Sequence, residues 1–181
     1  MIIFISDKQV QRNLKKVGYN NVGTGVTELL NKVAYNYVRK EINKVIKSNQ
    51  QKGGRVLMPS EYFGVPSNHY VTVTDKTFNG NDMTVKDTWI RPSFKSELNG
   101  GEAAPIFTVS QKSVKNMVSE VINTKKCATK ITSHDIKYIT SNLVSKLSEV
   151  VKSLQKKVKS DRLERQDLLN VLSMSKFKSM L

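Results

Sequence analysis

Residues 22–65 read VGTGVTELLNKVAYNYVRKEINKVIKSNQQKGGRVLMPSEYFGV. After the Gly-Thr-Gly loop, apolar residues recur at steps of three and four, which predicts an amphipathic helix over about 25–49, roughly 37 Å long. Gly53–Gly54 ends this helix, and Arg55–Leu57 is expected to be extended. A proline then favours the first turn of a short helix over 60–65. The stretch therefore predicts a long helix with a short arm at each end.

The predicted core face of the long helix is apolar and consists of Val26, Leu29, Leu30, Val33, Tyr37, Ile42, Val45 and Ile46. The opposite face is expected to be polar and consists of Asn31, Lys32, Asn36, Lys40, Lys44 and Lys47. Upstream, residues 2–5 are expected to form a short strand or a packed arm. Ser6 is a predicted cap for a short helix over 7–17 that Gly18 ends.

The same order of elements recurs from Ser110, a predicted cap, with a helix over 111–123 and a loop over 124–132. Ser133 is expected to cap a second long helix that ends near Ser160. Its core face is regular and consists of Ile136, Ile139, Leu143, Leu147, Val150, Leu154 and Val158. An extended segment, 162–164, and a closing helix over about 165–174 complete this internal repeat of form.

The connector between the two halves has a different composition. Two alternating runs, 69–74 and 83–90, flank Asn79-Gly80, a dipeptide typical of hairpin turns. A stretch rich in Pro, Ser and Gly follows and indicates a linker. Trp89 is expected either to pack against the helices or to contact a partner protein.

The charge is strongly positive and unevenly distributed. The net charge is +15, and residues 1–60, 61–109 and 110–181 contribute +8, −2 and +9. A field of this sign attracts nucleic acid first and an anionic membrane surface second. A genome whose codons favour Lys and Asn would also give a basic chain, but it would not give two basic blocks around an acidic connector.

The sequence gives little support for a transmembrane helix, a disulfide, a metal site or a catalytic site. No stretch of apolar residues is long enough for a transmembrane helix, so none is expected. A membrane is not among the expected partners, because the positive field favours nucleic acid over an anionic membrane surface. A single cysteine, Cys127, excludes an internal disulfide. Cys127 with His134 is weak evidence for zinc, and Asp82 and Asp87 are more typical of solvated turn residues than of a metal site. No catalytic constellation is present, so we expect neither an enzyme nor a cofactor.

Both halves resemble histone folds. Residues 19–25, followed by Leu29-Leu30 and Tyr37, are similar to the first loop and central helix of histone 2A, and Arg55–Pro59 is similar to its second loop. The second half resembles a more generic, 2B-like histone fold through Thr129–Ser133 and Arg162–Asp167. The resemblance covers roughly residues 6–65 and 110–176.

This resemblance implies a mainly α protein with two histone folds in one chain, each made of short, long and short helices. The folds would be paired in an intramolecular handshake, as in the histone doublets of some large DNA viruses. The implied domains are a 2A-like fold over 1–65, a connector with a small β-hairpin insertion over 66–109, and a second fold over 110–181.

The resemblance also implies where double-stranded DNA would bind. Paired loops would place Asn20-Asn21 beside Arg162, and the first loop of the second half beside Lys52 and Arg55. The two first helices would supply a further contact, without base specificity. The full set of implied DNA-binding residues is Arg12, Lys15, Lys16, Asn21, Lys52, Arg55, Lys112, Lys115, Lys125, Lys126, Lys130, Arg162 and Arg165.

Two positions depart from the family pattern. Asn21 stands where the 2A-type loop normally has an arginine, and Lys130 stands where an arginine is usual. The acidic patch of histone 2A is mostly missing. Implied partners are histones of the 3/4 type or other histone-fold doublets, through a surface containing Tyr62, Phe63, Leu168, Leu169 and Val171. The implied location is a chromatin-like particle in a nucleus, viral factory or virion.

Three classes of function remain at this point. The first is a histone doublet that packages and compacts DNA in a nucleosome-type particle. The second is a histone-fold subunit of a transcription or replication complex, which would bind mainly to other proteins. The third is a virion structural protein whose charge is incidental. The placement of the basic loops and first helices is expected to separate them, because DNA wrapping needs them in one arc.

Overall fold

The computed structural model describes residues 2–52, 56–57, 70–75, 87–92, 107–125, 130–131 and 133–181. Within these ranges the chain is mainly helical, as expected. The helices are α1 (Asp7–Lys16), α2 (Val26–Lys52), α3 (Gln111–Lys125), α4 (Ser133–Lys157) and α5 (Arg165–Leu172), and a 3-10 turn (Lys178–Met180) follows. The strands are β1 (Asn21–Val22), β2 (Val56–Leu57), β3 (Tyr70–Asp75), β4 (Asp87–Pro92), β5 (Lys130–Ile131) and β6 (Arg162–Leu163). The short helix predicted over 60–65 lies outside the described residues.

The predicted starts of the two short first helices are confirmed. Ser6 precedes α1, and its Oγ accepts a hydrogen bond from the backbone N–H of Gln9 at 3.3 Å. Ser110 precedes α3, and its Oγ accepts from the N–H of Ser113 at 3.3 Å. Each cap satisfies one of the backbone donors that the first helical turn leaves without a partner. Gly18 follows α1 with φ +108°, a conformation that glycine adopts at little cost.

The two long helices have similar lengths, 27 residues in α2 and 25 in α4. Their predicted core residues are buried at Val26, Leu29, Leu30, Val33, Ile42, Ile46, Ile136, Ile139, Leu143, Leu147, Val150 and Leu154. Tyr37 and Val158 are only half-buried, and Val158 lies just beyond the end of α4. Ala34, Val38 and Val151 are also buried, which widens the apolar faces beyond the prediction.

Asn31 was wrongly predicted to lie on the solvated face of α2. Its side chain is 5% exposed and binds the N-terminal arm. Oδ1 accepts from the N–H groups of Phe4 (2.8 Å) and Ile5 (3.1 Å), and Nδ2 donates to the carbonyl oxygens of Ile5 (2.9 Å) and Thr27 (3.0 Å). All four bonding positions of the amide are therefore used, which offsets its burial. Residues 2–5 form a packed arm, not a strand.

The chain divides into two compact units. The first contains Met1–Tyr37, Ala103–Ser113 and Leu143–Leu181, and the second contains Val38–Glu102 and Val114–Asn142. Each unit therefore takes segments from both halves of the sequence. The domains predicted over 1–65, 66–109 and 110–181 remain a prediction.

In the first unit, the segment after α5 packs back onto the helices. Phe177 is fully buried, with the ammonium groups of Lys146 and Lys176 at 5.4 Å and 4.9 Å from its ring centroid. Nδ2 of Asn36 donates to the carbonyl oxygen of Met180 at 3.1 Å. Asn36 was also expected on the solvated face, and this contact with the chain's own C-terminal segment corrects that prediction.

Part of the partner surface implied by the resemblance is also corrected. Leu168 and Val171 of α5 are buried in the first unit, at 0% and 1% exposure, and Leu169 is half-buried. The first two cannot contact a partner while the unit is folded, because the chain's own core already covers them. Tyr62 and Phe63 lie outside the described residues.

In the second unit, β3 and β4 form the predicted antiparallel hairpin, with Asp75 opposite Asp87 and Tyr70 opposite Pro92. A two-residue turn at Asn79-Gly80 with an uninterrupted ladder would place Asp75 opposite Thr84. The observed pairing of Asp75 with Asp87 differs from that register by three residues. The turn itself lies outside the described residues.

Candidate nucleic-acid interface

The first unit joins the loop after α1 to the loop before α5. β1 and β6 are parallel, with Asn21 opposite Arg162 and Val22 opposite Leu163. The pair is extended at each end by backbone hydrogen bonds, from Asn21 N–H to the carbonyl of Asp161 (3.2 Å) and from Gly23 N–H to the carbonyl of Leu163 (2.7 Å). The expected neighbours Asn21 and Arg162 are therefore adjacent, and both are exposed.

Tyr19 fixes this loop to the end of α4. The residue is 2% exposed, and its hydroxyl donates to the carbonyl oxygen of Val158 at 3.0 Å. Burial raises the pKa of the Tyr19 hydroxyl, and the negative charge of Asp167 raises it further. Nε2 of Gln155 adds a bond to the carbonyl of Val17 at 3.3 Å. These two bonds hold the segment that precedes Asn21 against the end of α4.

Glycines let the two loops approach each other closely. The Glu164 carboxylate occupies the position that a Cβ on Gly23 would take. On Gly25, which has φ +86°, an added Cβ would lie 2.8 Å from Cδ of Arg165. Gly23 and Gly25 of the opening stretch therefore allow the Glu164 and Arg165 side chains to lie against the backbone of this loop.

Arg162 is paired with a carboxylate of its own loop. Its Nε donates to Oε1 of Glu164, and the side chains are 59% and 47% exposed. The hydrogen bond and the charge of Glu164 raise the pKa of Arg162. Glu164 in turn donates its backbone N–H to Oδ2 of Asp167 at 2.9 Å, in the first turn of α5. We call Asn21, Arg162, Glu164 and Arg165 the strand-pair surface.

The same unit brings the starts of α1 and α3 together. Nε2 of Gln9 donates to the carbonyl of Thr108 at 2.8 Å, and Oγ of Ser113 donates to the carbonyl of Ile3 at 2.8 Å. The predicted DNA-binding residues on these helices in the first unit are exposed: Arg12, Lys15, Lys16 and Lys112. Lys115 is exposed as well and belongs to the second unit.

The second unit contains the matching loop pair. β2 and β5 are parallel, with Val56 opposite Lys130 and Leu57 opposite Ile131. Lys52 is the last residue of α2, and Lys125 is the last of α3. Arg55 and Lys126, which were predicted to bind DNA here, lie outside the described residues.

The sequence reasoning missed a basic segment beside the strand-pair surface. Lys156, Lys157 and Lys159 are exposed at the end of α4, directly before β6. Nζ of Lys159 donates to the carbonyl of Gln155 at 2.9 Å. The basic character of this segment is visible in the sequence as the run Lys-Lys-Val-Lys at 156–159. The apolar spacing predicted only that a helix ends there.

Across the described ranges, no group of three His, Cys, Asp or Glu residues could hold a metal ion. The helices that can be described also contain no apolar span long enough to cross a membrane. Comparison with protein-family models gives no match, and comparison with curated protein sequences gives none either.

Proposed function

We propose that this chain binds double-stranded DNA without sequence preference and compacts it as a histone-like protein. The proposal includes the finer fold assignment, two histone folds paired within one chain. It extends to partners of the 3/4 histone type or other doublets, and to a chromatin-like particle as its location.

One observation carries the proposal, the reciprocity of the loop pairs. The first loop of the first half pairs with the second loop of the second half, through Asn21 and Arg162. The second loop of the first half pairs with the first loop of the second half, through Val56 and Lys130. Two independent domains would pair their loops within each half. Pairing in both directions is what an intramolecular handshake requires, and in the described residues each half has a short helix followed by a long one.

The chemistry of the strand-pair surface supports phosphate binding. Arg162 and Arg165 lie with Asn21 at one loop junction, and exposed lysines precede them on the chain. Guanidinium groups bind phosphate oxygens through paired donors, and amides and lysines add further contacts. None of these groups needs a particular base, so the expected binding follows charge and not sequence.

The first experiment measures the affinity of the purified full chain for two duplexes of equal length and unrelated sequence. If ~6–10 phosphates are contacted, the logarithm of the affinity falls with a slope near −5 to −9 against the logarithm of salt. Equal affinities for the two duplexes are expected. A flat salt dependence contradicts DNA binding as the function.

A matched pair of variants locates the contact. Arg162→Ala with Arg165→Ala removes two positive charges from the strand-pair surface, and Arg39→Ala with Lys40→Ala removes two exposed charges from α2. The first variant should reduce the salt slope by ~2, because each phosphate contact contributes about one. Equal behaviour of the two variants would place the contact elsewhere, and urea unfolding shows whether either one has lost its fold.

Nuclease digestion separates compaction from simple binding. A wrapped particle protects a DNA fragment of fixed length, either with the chain alone or after addition of a 3/4-type partner. A histone-fold subunit of a transcription complex would bind its protein partner and leave the DNA uniformly digested. The same uniform digestion, with no partner bound, is expected for a virion structural protein.

A further inference from the structure

The first unit contains an open cavity of about 730 Å³ that the DNA-binding proposal does not use. The N-terminal arm, the first turns of α1 and α2, and the Gly23–Gly25 loop form its walls. Ile5 and Asn31 are buried lining residues, and the four hydrogen bonds of the Asn31 amide hold the arm in place. The cavity is therefore built from segments with fixed positions, and it includes Val22–Gly25 of the loop that also carries Asn21.

The charge of this cavity is opposite to that of the chain. Among the described residues, Asp7 and Glu28 are the charged ones that line it, whereas the chain as a whole carries a net charge of +15. We call this site the acidic cavity. Two carboxylates repel the phosphates that the strand-pair surface is proposed to bind. A cationic ligand is therefore favoured here, and nucleic acid is not.

The Asp7 carboxylate is held in a fixed orientation. Its Oδ1 accepts from the hydroxyl of Thr27 at 2.6 Å, and its Oδ2 accepts from Nε2 of Gln11 at 3.1 Å. Each oxygen retains a second acceptor position for a ligand. Glu28, in the first turn of α2, is exposed. The pair offers one rigid and one adjustable acceptor, which suits a planar guanidinium with several donors better than a point charge.

An apolar residue lies beside these carboxylates. Ile3 is 65% exposed and lines the cavity, and Leu181 is the one other large apolar side chain exposed in the described part of the chain. A single exposed isoleucine does not by itself mark a binding surface, but a ligand in the cavity that also covered Ile3 would remove apolar area from water. The ligand should therefore carry an aliphatic group next to its cation.

We propose that the acidic cavity binds an arginine side chain from a basic peptide segment of a partner protein, with an adjacent aliphatic residue of that peptide covering Ile3. Charge complementarity supports a basic partner segment. A second copy of this chain is the poorer occupant, because two molecules of net charge +15 repel each other. The inference stands apart from the DNA-binding proposal, since it uses a different surface and a different ligand.

The test uses the full chain and a fluorescein-labelled peptide, acetyl-Ala-Leu-Arg-Leu-Ala-amide. A matched peptide carries citrulline, which is uncharged and nearly isosteric, in place of arginine. Fluorescence anisotropy should give saturable binding of the arginine peptide and about tenfold weaker binding of the citrulline peptide, the usual loss for one charge-assisted contact. Equal binding of the two peptides would overturn the proposal, as would absence of saturable binding by the arginine peptide.

Protein variants locate the site. Glu28→Gln should weaken the arginine peptide about five- to tenfold. Glu120→Gln removes the same charge from an exposed position on α3, outside the cavity lining, and should leave binding unchanged. Ile3→Ser should weaken both peptides by a similar factor. Glu28 and Ile3 are both exposed, so the fold should persist in each variant.

Two further outcomes decide against the proposal. If Glu28→Gln and Glu120→Gln behave alike, the peptide binds elsewhere. If sedimentation shows that the unmodified chain self-associates and that Glu28→Gln abolishes this, a second copy is the occupant. Duplex binding, measured on the same variants, is expected to be retained when Glu28 is replaced, so failure here is distinguishable from failure of DNA binding.

Discussion

Two surfaces of opposite charge meet at the Gly23–Gly25 loop. The strand-pair surface lays Glu164 and Arg165 against the loop glycines and exposes Arg162. The acidic cavity uses the same loop as a wall and exposes Asp7 and Glu28. The difference shows how a short segment without bulky side chains can serve two sites, because neighbouring elements, and not the loop itself, supply the charges.

Asn31→Ala is expected to have the largest effect, because the Asn31 amide holds the N-terminal arm that forms one wall of the acidic cavity. It removes four hydrogen bonds and leaves buried N–H groups of Phe4 and Ile5 without an acceptor, so the free energy of unfolding should fall by about 3 kcal/mol. Urea unfolding measures the loss. Asn36→Ala, which removes one part-buried bond to Met180, should cost about 1 kcal/mol or less. A smaller loss for Asn31 than for Asn36 would show that the arm is not held by this amide.

Gly25→Ala tests the loop that the two surfaces share. A Cβ at this position has an unfavourable positive φ and meets the Arg165 side chain, so we expect about 1–2 kcal/mol of destabilisation together with weaker duplex binding. Gly18→Ala is the matched control, because its φ is also positive but no atom lies within 4 Å of the added Cβ. It should lower stability without changing DNA affinity. Equal DNA affinities in the two variants would show that Arg165 does not contribute to DNA binding.

Tyr19→Phe tests how the loop that carries Asn21 of the strand-pair surface is held against the end of α4. Loss of the bond to Val158 should cost about 1 kcal/mol at neutral pH. The pKa of Tyr19 is raised in the folded chain, so the unfolded chain loses the hydroxyl proton first as the pH rises. The contribution is therefore complete below the ordinary value of 10.0 and is lost above it. Urea unfolding across this range should show a steeper alkaline loss in the unmodified chain than in the variant.

Glu164→Gln is expected to have the smallest effect. It removes the negative charge from the strand-pair surface and leaves the charges of the acidic cavity unchanged. Without the carboxylate, Arg162 no longer has to exchange an ion pair for a phosphate, so duplex affinity should rise by roughly twofold. The acidic cavity should be unaffected, which the arginine peptide can check. A fall in affinity with unchanged stability would mean that Glu164 positions Arg162 and does not compete for it.

Much of the fold follows from local signals. Caps at Ser6 and Ser110, glycine after α1 and the three–four spacing of apolar residues placed the helices to within about three residues, because these features act within one or two turns. Arg162 and its neighbour Asn21 did not follow from local signals, because both were identified as candidates only through the resemblance between the halves and histone folds.

Other features could not be read from spacing. Asn31 and Asn36 have the same helical spacing as the lysines of the predicted polar face of α2. Their side chains nevertheless form hydrogen bonds with backbone groups far away in the sequence, which helical spacing does not identify. The lysines at 156–159 were overlooked because a helix end and a basic surface give the same local signal. The hairpin register differs by three residues from the one that a two-residue turn at Asn79-Gly80 with an uninterrupted ladder would give.

The sequence by itself determined the order of the described helices and the excess of positive charge, since each is a property of composition or of spacing along one helix. Only the tertiary structure decided which loops pair, how Gly23 and Gly25 bring Glu164 and Arg165 against the loop backbone, and that Asp7 and Glu28 line one cavity. The physical reason is distance along the chain. Asp7 and Glu28 lie on different helices, and Gly23 and Glu164 lie in different halves of the sequence. Such residues meet only when the helices between them pack, and local propensity contains no information about that contact.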